Sequence, residues 1–349
     1  LGDFKKAETN FRRTIKMRYN NPLVHYYLAE CYKGMEKFDK AQAEYEKFVK
    51  MDPDNPKGPF ALESLDLTQE WIQDGSKYRV VNAGSDVNSK GDDFSPVIKG
   101  KKNDELYFTS SREGVLGRSV NQITGQYFTD IFLIRKPEKD RGRKKRSSKT
   151  ITPPDWDETT LSNITDGLAD VVNLKNSEEG VISFNKRGNK MFFTRSIFSK
   201  NRYQGRRIYS ATFRGKKFRD VTMEVIPVDT LVDVHGPSVT PDEKTMFFAA
   251  NIEGGYGGSD LYVCRYDRRK KSWGEPENLG PNINSEGNEG FPVFNGSTKN
   301  LYFSSNGRPG MGGLDIYKAE YNIESDGSAK TMFNEAENLQ YPVNTCFDD

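Results

Sequence analysis

Few residues in this chain have types and spacing suited to chemistry. There are two histidines, His25 and His235, and three cysteines, Cys31, Cys264 and Cys346. No two cysteines stand two to four residues apart, so zinc-site spacing is excluded. The sequence has no Gly-x-Ser-x-Gly elbow, no His-Glu-x-x-His, no phosphate loop of the Walker type and no Gly-x-Gly-x-x-Gly after a strand. His235 stands in a repeated segment where its counterparts are Asp93, Glu179 and Glu289, which marks it as a turn residue rather than a general base. We therefore expect no enzyme activity, no catalytic residue, no cofactor and no metal.

Two features could still hold a ligand. Gly254-Gly255-Tyr256-Gly257-Gly258-Ser259-Asp260 and Gly310-Met311-Gly312-Gly313-Leu314-Asp315 resemble calcium or phosphate loops. They recur at one place in successive repeats, so we read them as structural turns whose glycines supply positive φ. Their aspartates, with Asp130 in the first copy, are expected to accept backbone hydrogen bonds across the turn. The second feature is the segment from Pro137 to Lys149, with seven basic and two acidic residues, net +5. It has no interleaved aromatics for nucleic acid. It reads as a protruding loop whose Arg141, Arg143, Lys144, Lys145 and Arg146 could meet an acidic partner.

The elements that must position these residues come in two repeats. Shifted by 34 residues, Leu1-Gly2-Asp3-Phe4-Lys5-Lys6-Ala7 falls on Met35-Glu36-Lys37-Phe38-Asp39-Lys40-Ala41, and Asn21-Pro22 on Asn55-Pro56. That period, with small and aromatic residues at fixed offsets, is the signature of tetratricopeptide (TPR) helix pairs. Ala29 and Ala41 let two helices approach, and Tyr45 and Phe48 fill the groove. A closing helix is expected over Phe60 to Asp74, with Gly75 just beyond. The groove of such a repeat offers His25 and Tyr26 to a partner; alternatively, so few repeats merely brace the neighbouring domain.

From Lys77 onward a β repeat takes over. Its inner strands carry Pro96, Pro237 and Pro292, with Ile182 in the second copy. Its next strands are Leu106-Tyr107-Phe108, Met191-Phe192-Phe193, Met246-Phe247-Phe248 and Leu301-Tyr302-Phe303, and the third begin at Asp130, Arg207, Asp260 and Asp315. Four short strands per unit of about 55 residues make propeller blades. We expect α+β organisation: TPR-like helices over 1–75, then an all-β propeller over 76–349. Its four blades fall near 92–178, 179–234, 235–288 and 289–340. The tail at 341–349 reads as the entrance to a further blade, whose outer strand would be Tyr78 to Asn82.

The order (Asp/Glu)-x-x-Pro-x-(Val/Phe), Leu-Tyr-Phe-x-Ser, Gly-Gly-x-Asp-(Leu/Ile)-Tyr resembles the TolB-type, WD-like propeller repeat. Asn88-Ser89 and Asn284-Ser285 match that family's blade-entrance loop. TPR helices ahead of such a propeller resemble the periplasmic, OmpA-associated lipoproteins of Bacteroidetes-type bacteria, one branch of which serves type IX secretion and gliding. The resemblance implies a periplasmic scaffold held at the outer membrane by a lipid anchor. Its partners would be envelope proteins, including outer-membrane secretion components, and peptidoglycan through domains outside this chain. The alternative is a binder of carbohydrate or peptidoglycan fragments, or a glycan-processing enzyme. The near-balanced charge, net +2, gives no drive toward nucleic acid, and no apolar run reaches the length of a transmembrane helix.

Overall fold

The structure, a computed structural model, describes residues 3–99, 103–117, 119–121, 125–137, 156–199 and 202–349. The chain divides into two compact units, one of Leu1–Val80, Ser304–Lys318 and Ala336–Asp349, the other of Val81–Phe303 and Ala319–Glu335.

Four helices open the first unit: α1 Phe4–Lys16, α2 Leu23–Lys33, α3 Phe38–Met51 and α4 Lys57–Asp74. Ala29 and Ala41 are fully buried, and a β-carbon is all that α2 and α3 place between their backbones there. Tyr45, also fully buried, joins Leu28, Tyr32, Ala61 and Leu65 in the helical core, and Phe48, equally buried, packs edge-on against Tyr26 at 5.4 Å. Each large apolar side chain removed from water contributes about 1.5–3 kcal/mol. The closing helix starts at Lys57, one turn earlier than the sequence suggested: Pro56 already has helical φ and ψ, and Asn55 Oδ1 accepts the Lys57 amide at 3.2 Å. Gly75, at φ 74°, ends it. Tyr78–Asn82, expected to pair only with the strands of a further blade, forms no strand. There Asn82 turns the chain instead, its side-chain oxygen accepting from the Gly84 amide and the Asn88 side chain.

Four antiparallel sheets follow as propeller blades. The first three have strands β1 Asp93–Lys99, β2 Glu105–Ser110, β3 Asp130–Arg135 and β4 Asp157–Ser162; β5 Glu178–Phe184, β6 Lys190–Ser199, β7 Arg202–Arg214 and β8 Lys217–Met223; and β9 Val234–Val239, β10 Thr245–Ala250, β11 Asp260–Asp267, with the outer strand broken into β12 Ser272–Trp273 and β13 Glu277–Asn278. The fourth has β14 Glu289–Asn295, β15 Asn300–Ser305, β16 Asp315–Ala319 and β17 Glu337–Asn338, in that order.

The second strand of a blade is apolar on both faces because both are covered. In β6, Met191 and Phe193 pack with Tyr107, Ile131 and Leu133 of the first blade. Phe192, pointing the other way, packs with Val234, Met246 and Phe248 of the third. Phe247, between the last two, meets Phe294 at 5.2 Å and Phe333 at 5.7 Å.

The inner-strand prolines mark a kink. Ser95, Gly236 and Phe291, each directly before a proline, have φ of 53°, 67° and 52°, and Val181, before Ile182, has φ 47°. Pairing slips at this point in β1, β5 and β9. This is a β-bulge, where a residue without an N–H interrupts no ladder bond. Gly236 is the small member: a β-carbon there would stand 3.3 Å from Pro292 and 3.8 Å from Val181.

Candidate functional site

The recurring aspartates are consumed by their own turns. Asp260 accepts the Tyr256 amide at 2.7 Å, the Gly257 amide at 3.2 Å and Asn278 Nδ2 at 2.8 Å. Asp315 accepts the Met311 and Gly312 amides and Asn338 Nδ2. Asp130 accepts the Leu116 amide and Asn163 Nδ2. Of these glycines Gly254, at φ 84°, meets the need the sequence suggested, while Gly257 and Gly312 meet a different one. Neither Gly257 nor Gly312 has positive φ; a β-carbon would stand 2.4 Å from Gly287 O at the first and 1.7 Å from Phe347 O at the second. Close approach of the next entrance loop, not handedness, demands glycine there. Among the described residues no group of His, Cys, Asp and Glu could hold a metal ion.

In the first unit, Tyr26, Glu30 and Lys33 of α2 share a face with Lys57, Phe60 and Ser64 of α4, and together they line a pocket of ≈ 360 Å³ with residues of the 306–313 loop. Lys33 Nζ donates to Gly310 O at 3.3 Å, and the Gly310 amide donates to Ser64 Oγ at 3.3 Å. The groove of the helical repeat thus holds a loop of this same chain. Tyr26 packs against Tyr45 and Phe48, and burial, then Glu30, pushes its hydroxyl pKa up. His25 Nδ1 pairs with Glu44 Oε2 at 2.6 Å. Arg141, Arg143, Lys144, Lys145 and Arg146 lie outside the described residues.

The second unit has a pocket of ≈ 680 Å³ that the sequence did not single out. It forms where two blades leave the repeat. In the third and fourth blades the second and third strands are joined by nine residues, 251–259 and 306–314; in the first blade the loop runs from 111 to 129, and in the second the strands extend into a long hairpin. These loops bring Phe128, Phe198 and Tyr203 together. The first two stack at 4.6 Å, and Tyr203 meets Phe198 edge-on at 5.8 Å. Around them stand Ser119, Asn121, Asn176, Glu178, Ser196, Arg206 and Asp233.

Asp233 is tightly held. It accepts the Tyr203 hydroxyl, the Arg206 amide at 2.9 Å and Arg206 Nε at 3.3 Å. Burial works against its charge, but these donors outweigh it and keep the carboxyl below its ordinary range. Tyr203 is pushed up to about 12 by burial and then by Asp233. Glu178 accepts Asn121 Nδ2 at 3.2 Å. The signal in the sequence was Arg207, standing where the other blades have Asp; it donates to Val232 O and Thr230 O instead of receiving a turn.

His235 lies beside this group, and burial, then the Arg206 charge, lowers its pKa from 6.5 to about 3. A depressed folded value means that the unfolded chain takes the proton first as pH falls. The stability held above pH 6.5 should therefore decline steadily down to about pH 3. Denaturant titrations of wild type and His235→Gln across that window should show this part of the acid loss only in wild type; equal slopes would show that His235 does not titrate as placed.

Residues 22–55 match the tetratricopeptide repeat. Helical repeats followed by four antiparallel propeller blades define the class of protein. Among solved structures, TolB from Acinetobacter baumannii is similar at 14% identity and TM-score 0.37, over 73% of this chain and 45% of that one. A protein of unknown function from Dyadobacter fermentans is similar at 13% identity and TM-score 0.40, over 73% of this chain and 66% of that one. An α-L-arabinofuranosidase from Lactobacillus brevis is similar at 12% identity and TM-score 0.39, over 71% and 72%. The chain thus spans less than half of the TolB structure, and the blades rest on its own strand order. No curated protein matches the sequence. Among the described residues no helix is long and apolar enough to cross a membrane.

Proposed function

We propose that this chain is a non-catalytic protein–protein interaction scaffold of the bacterial cell envelope, linking an outer-membrane secretion or gliding machine to periplasmic partners or peptidoglycan. The observation that carries the reading is the rim pocket. The first blade, which keeps its Asp130 turn but lengthens the connection, and the second, which has Arg207 in place of the aspartate, are the two whose loops build it, and loops that depart from the scaffold's own repeat are where binding residues gather. The pocket offers stacking and hydrogen-bonding contact, with Asp233 fixed by Tyr203 and Arg206. The helical repeat acts as a brace, because its groove holds the 306–313 loop. The envelope setting rests on the sequence resemblance to periplasmic TPR–propeller lipoproteins, and the type IX secretion role on one branch of that family.

A photo-crosslinking residue at Ser119, in the pocket, should capture discrete envelope proteins in native membranes, read by mass spectrometry. The same residue at Ile323, exposed and outside the pocket, should not. Identical captures from both positions, or none from either, would overturn the reading. The stacked Phe128 and Phe198 also suit the face of a sugar ring, the second reading. Saturable binding of glycans on an array by the whole chain, without protein capture, would favour it.

A further inference from the structure

We propose that the rim pocket takes the basic side chain, lysine or arginine, of an extended partner segment. This rests on the reading of that pocket as the partner-contact surface. The walls are aromatic: Phe128, Phe198 and Tyr203 present ring area to the cavity. The charged groups lining it are Glu178, Asp233 and Arg206. Arg206 is matched with Asp233 at 3.3 Å, so the balance of the lining is one negative charge, carried by Glu178. An aromatic wall beside a carboxylate suits a cation. The ring faces attract it, the more strongly the drier the site, while an anion meets repulsion from both.

The same blade junction already holds a cation this way at its other end. Lys99, at the far end of β1, places Nζ 4.4 Å from the Phe213 ring centre and 5.1 Å from those of Tyr107 and Phe184. Glu105 Oε2 stands 3.3 Å away. There the first blade's own lysine fills an aromatic recess built largely by the second blade, beside Glu105, which it shares with Arg135. At the rim the corresponding chemistry surrounds a cavity of ≈ 680 Å³. Ser119, Asn121, Asn176 and Ser196 supply hydrogen-bonding groups around it for the backbone that carries the side chain. Recognition through one charged anchor and polar surroundings gives specificity and fast association more than high affinity, so isolated short peptides should bind in the millimolar range.

The test uses the whole chain and four pentapeptides, acetylated and amidated, with Lys, Arg, citrulline or Glu between glycine pairs. Ligand-observed NMR titrations should show saturable binding of the Lys and Arg peptides. Citrulline, which keeps the shape of arginine without its charge, should bind about tenfold more weakly, and the Glu peptide not at all. Glu178→Gln should weaken the Lys and Arg peptides by a similar factor while leaving thermal melting unchanged. Phe198→Leu should weaken them too; if that variant melts early, Glu178→Gln carries the test alone. Equal binding of arginine and citrulline peptides, or no effect of Glu178→Gln, would overturn the proposal. So would binding of chito-oligosaccharide with no binding of the basic peptides. Failure of all peptides with Ser119 still crosslinking to a partner would sink the basic anchor and leave the scaffold standing.

Discussion

Replacing Arg195 by Met should destabilise the bladed unit by about 3–5 kcal/mol at neutral to alkaline pH, the usual consequence of leaving a buried charge without its partner. Arg195 Nε donates to Glu179 Oε1 at 2.7 Å, and its other end donates to Val172 O at 2.6 Å and Val171 O at 3.2 Å. Glu179 is fully buried and receives Ser177 Oγ at 2.6 Å and the Leu174 amide at 3.2 Å. Burial still dominates over these partners and raises the carboxyl from 4.5 to about 7. A raised folded value means that the folded state keeps the proton longer than the unfolded chain. Glu179's own contribution to stability should therefore be greatest below about pH 4.5, fall between there and about pH 7, and level off above, opposite in slope to that of His235. Without Arg195 the fall should deepen and extend to higher pH. Adding Glu179→Gln to Arg195→Met should recover most of the loss, since a neutral amide has no charge to desolvate. Urea unfolding of the two single variants and the double variant at pH 5 and pH 8 checks all of this. An Arg195→Met protein as stable as wild type at pH 8 would mean that the pair is not buried as placed.

How much of this was legible beforehand depends on whether a feature is repeated. The helical pairs are visible because each must bring small residues such as Ala29 and Ala41 together at the same offset. The blades are visible because a strand covered on both faces, such as Met246-Phe247-Phe248, cannot alternate with polar residues. The positive φ of Gly254 was legible, but the purpose of Gly257 and Gly312 was not. Gly257 and Gly312 are needed by a loop that approaches from about 30 residues further on, and local turn rules do not contain that neighbour. The left-handed residues at Val181 and Phe291 were hidden for a similar reason. No β-branched or aromatic side chain advertises positive φ, and there the bulge imposes it. The rim pocket was hidden because reading by repeats rewards sameness. Phe128, Glu178, Phe198 and Asp233 stand where the pattern fails, and only the strand register shows that those failures meet. Arg207 in place of Asp was the visible trace.

The structural role of the blade aspartates leads to the other large effect. Asp260→Ala should cost about 2–4 kcal/mol: each buried donor left without an acceptor costs about 1–3 kcal/mol, and water can reach only some of them. The loss would not stop at the Tyr256 and Gly257 amides. Asn278 Nδ2 donates to Asp260, while Asn278 Oδ1 accepts Asn284 Nδ2 at 2.8 Å. Asn284 in turn exchanges hydrogen bonds with both the amide and the carbonyl of Leu261, at 2.8 and 3.0 Å. One carboxylate thus ties the turn, the outer strand and the following entrance loop to the start of β11. Asp315 does the same through Asn338 and Asn344, which brackets Ile316. Asp260→Asn should cost less than Asp260→Ala, because an amide oxygen still accepts one bond even though its nitrogen then faces other donors. Calorimetric melting should show Asp260→Ala and Asp315→Ala lowered and the Asn forms between them and wild type. Since these oxygens are occupied by protein donors, calcium should leave the wild-type melt unchanged. A calcium-dependent rise in the wild-type melting temperature, absent from a folded Asp260→Ala, would show that the turn serves an ion rather than the chain.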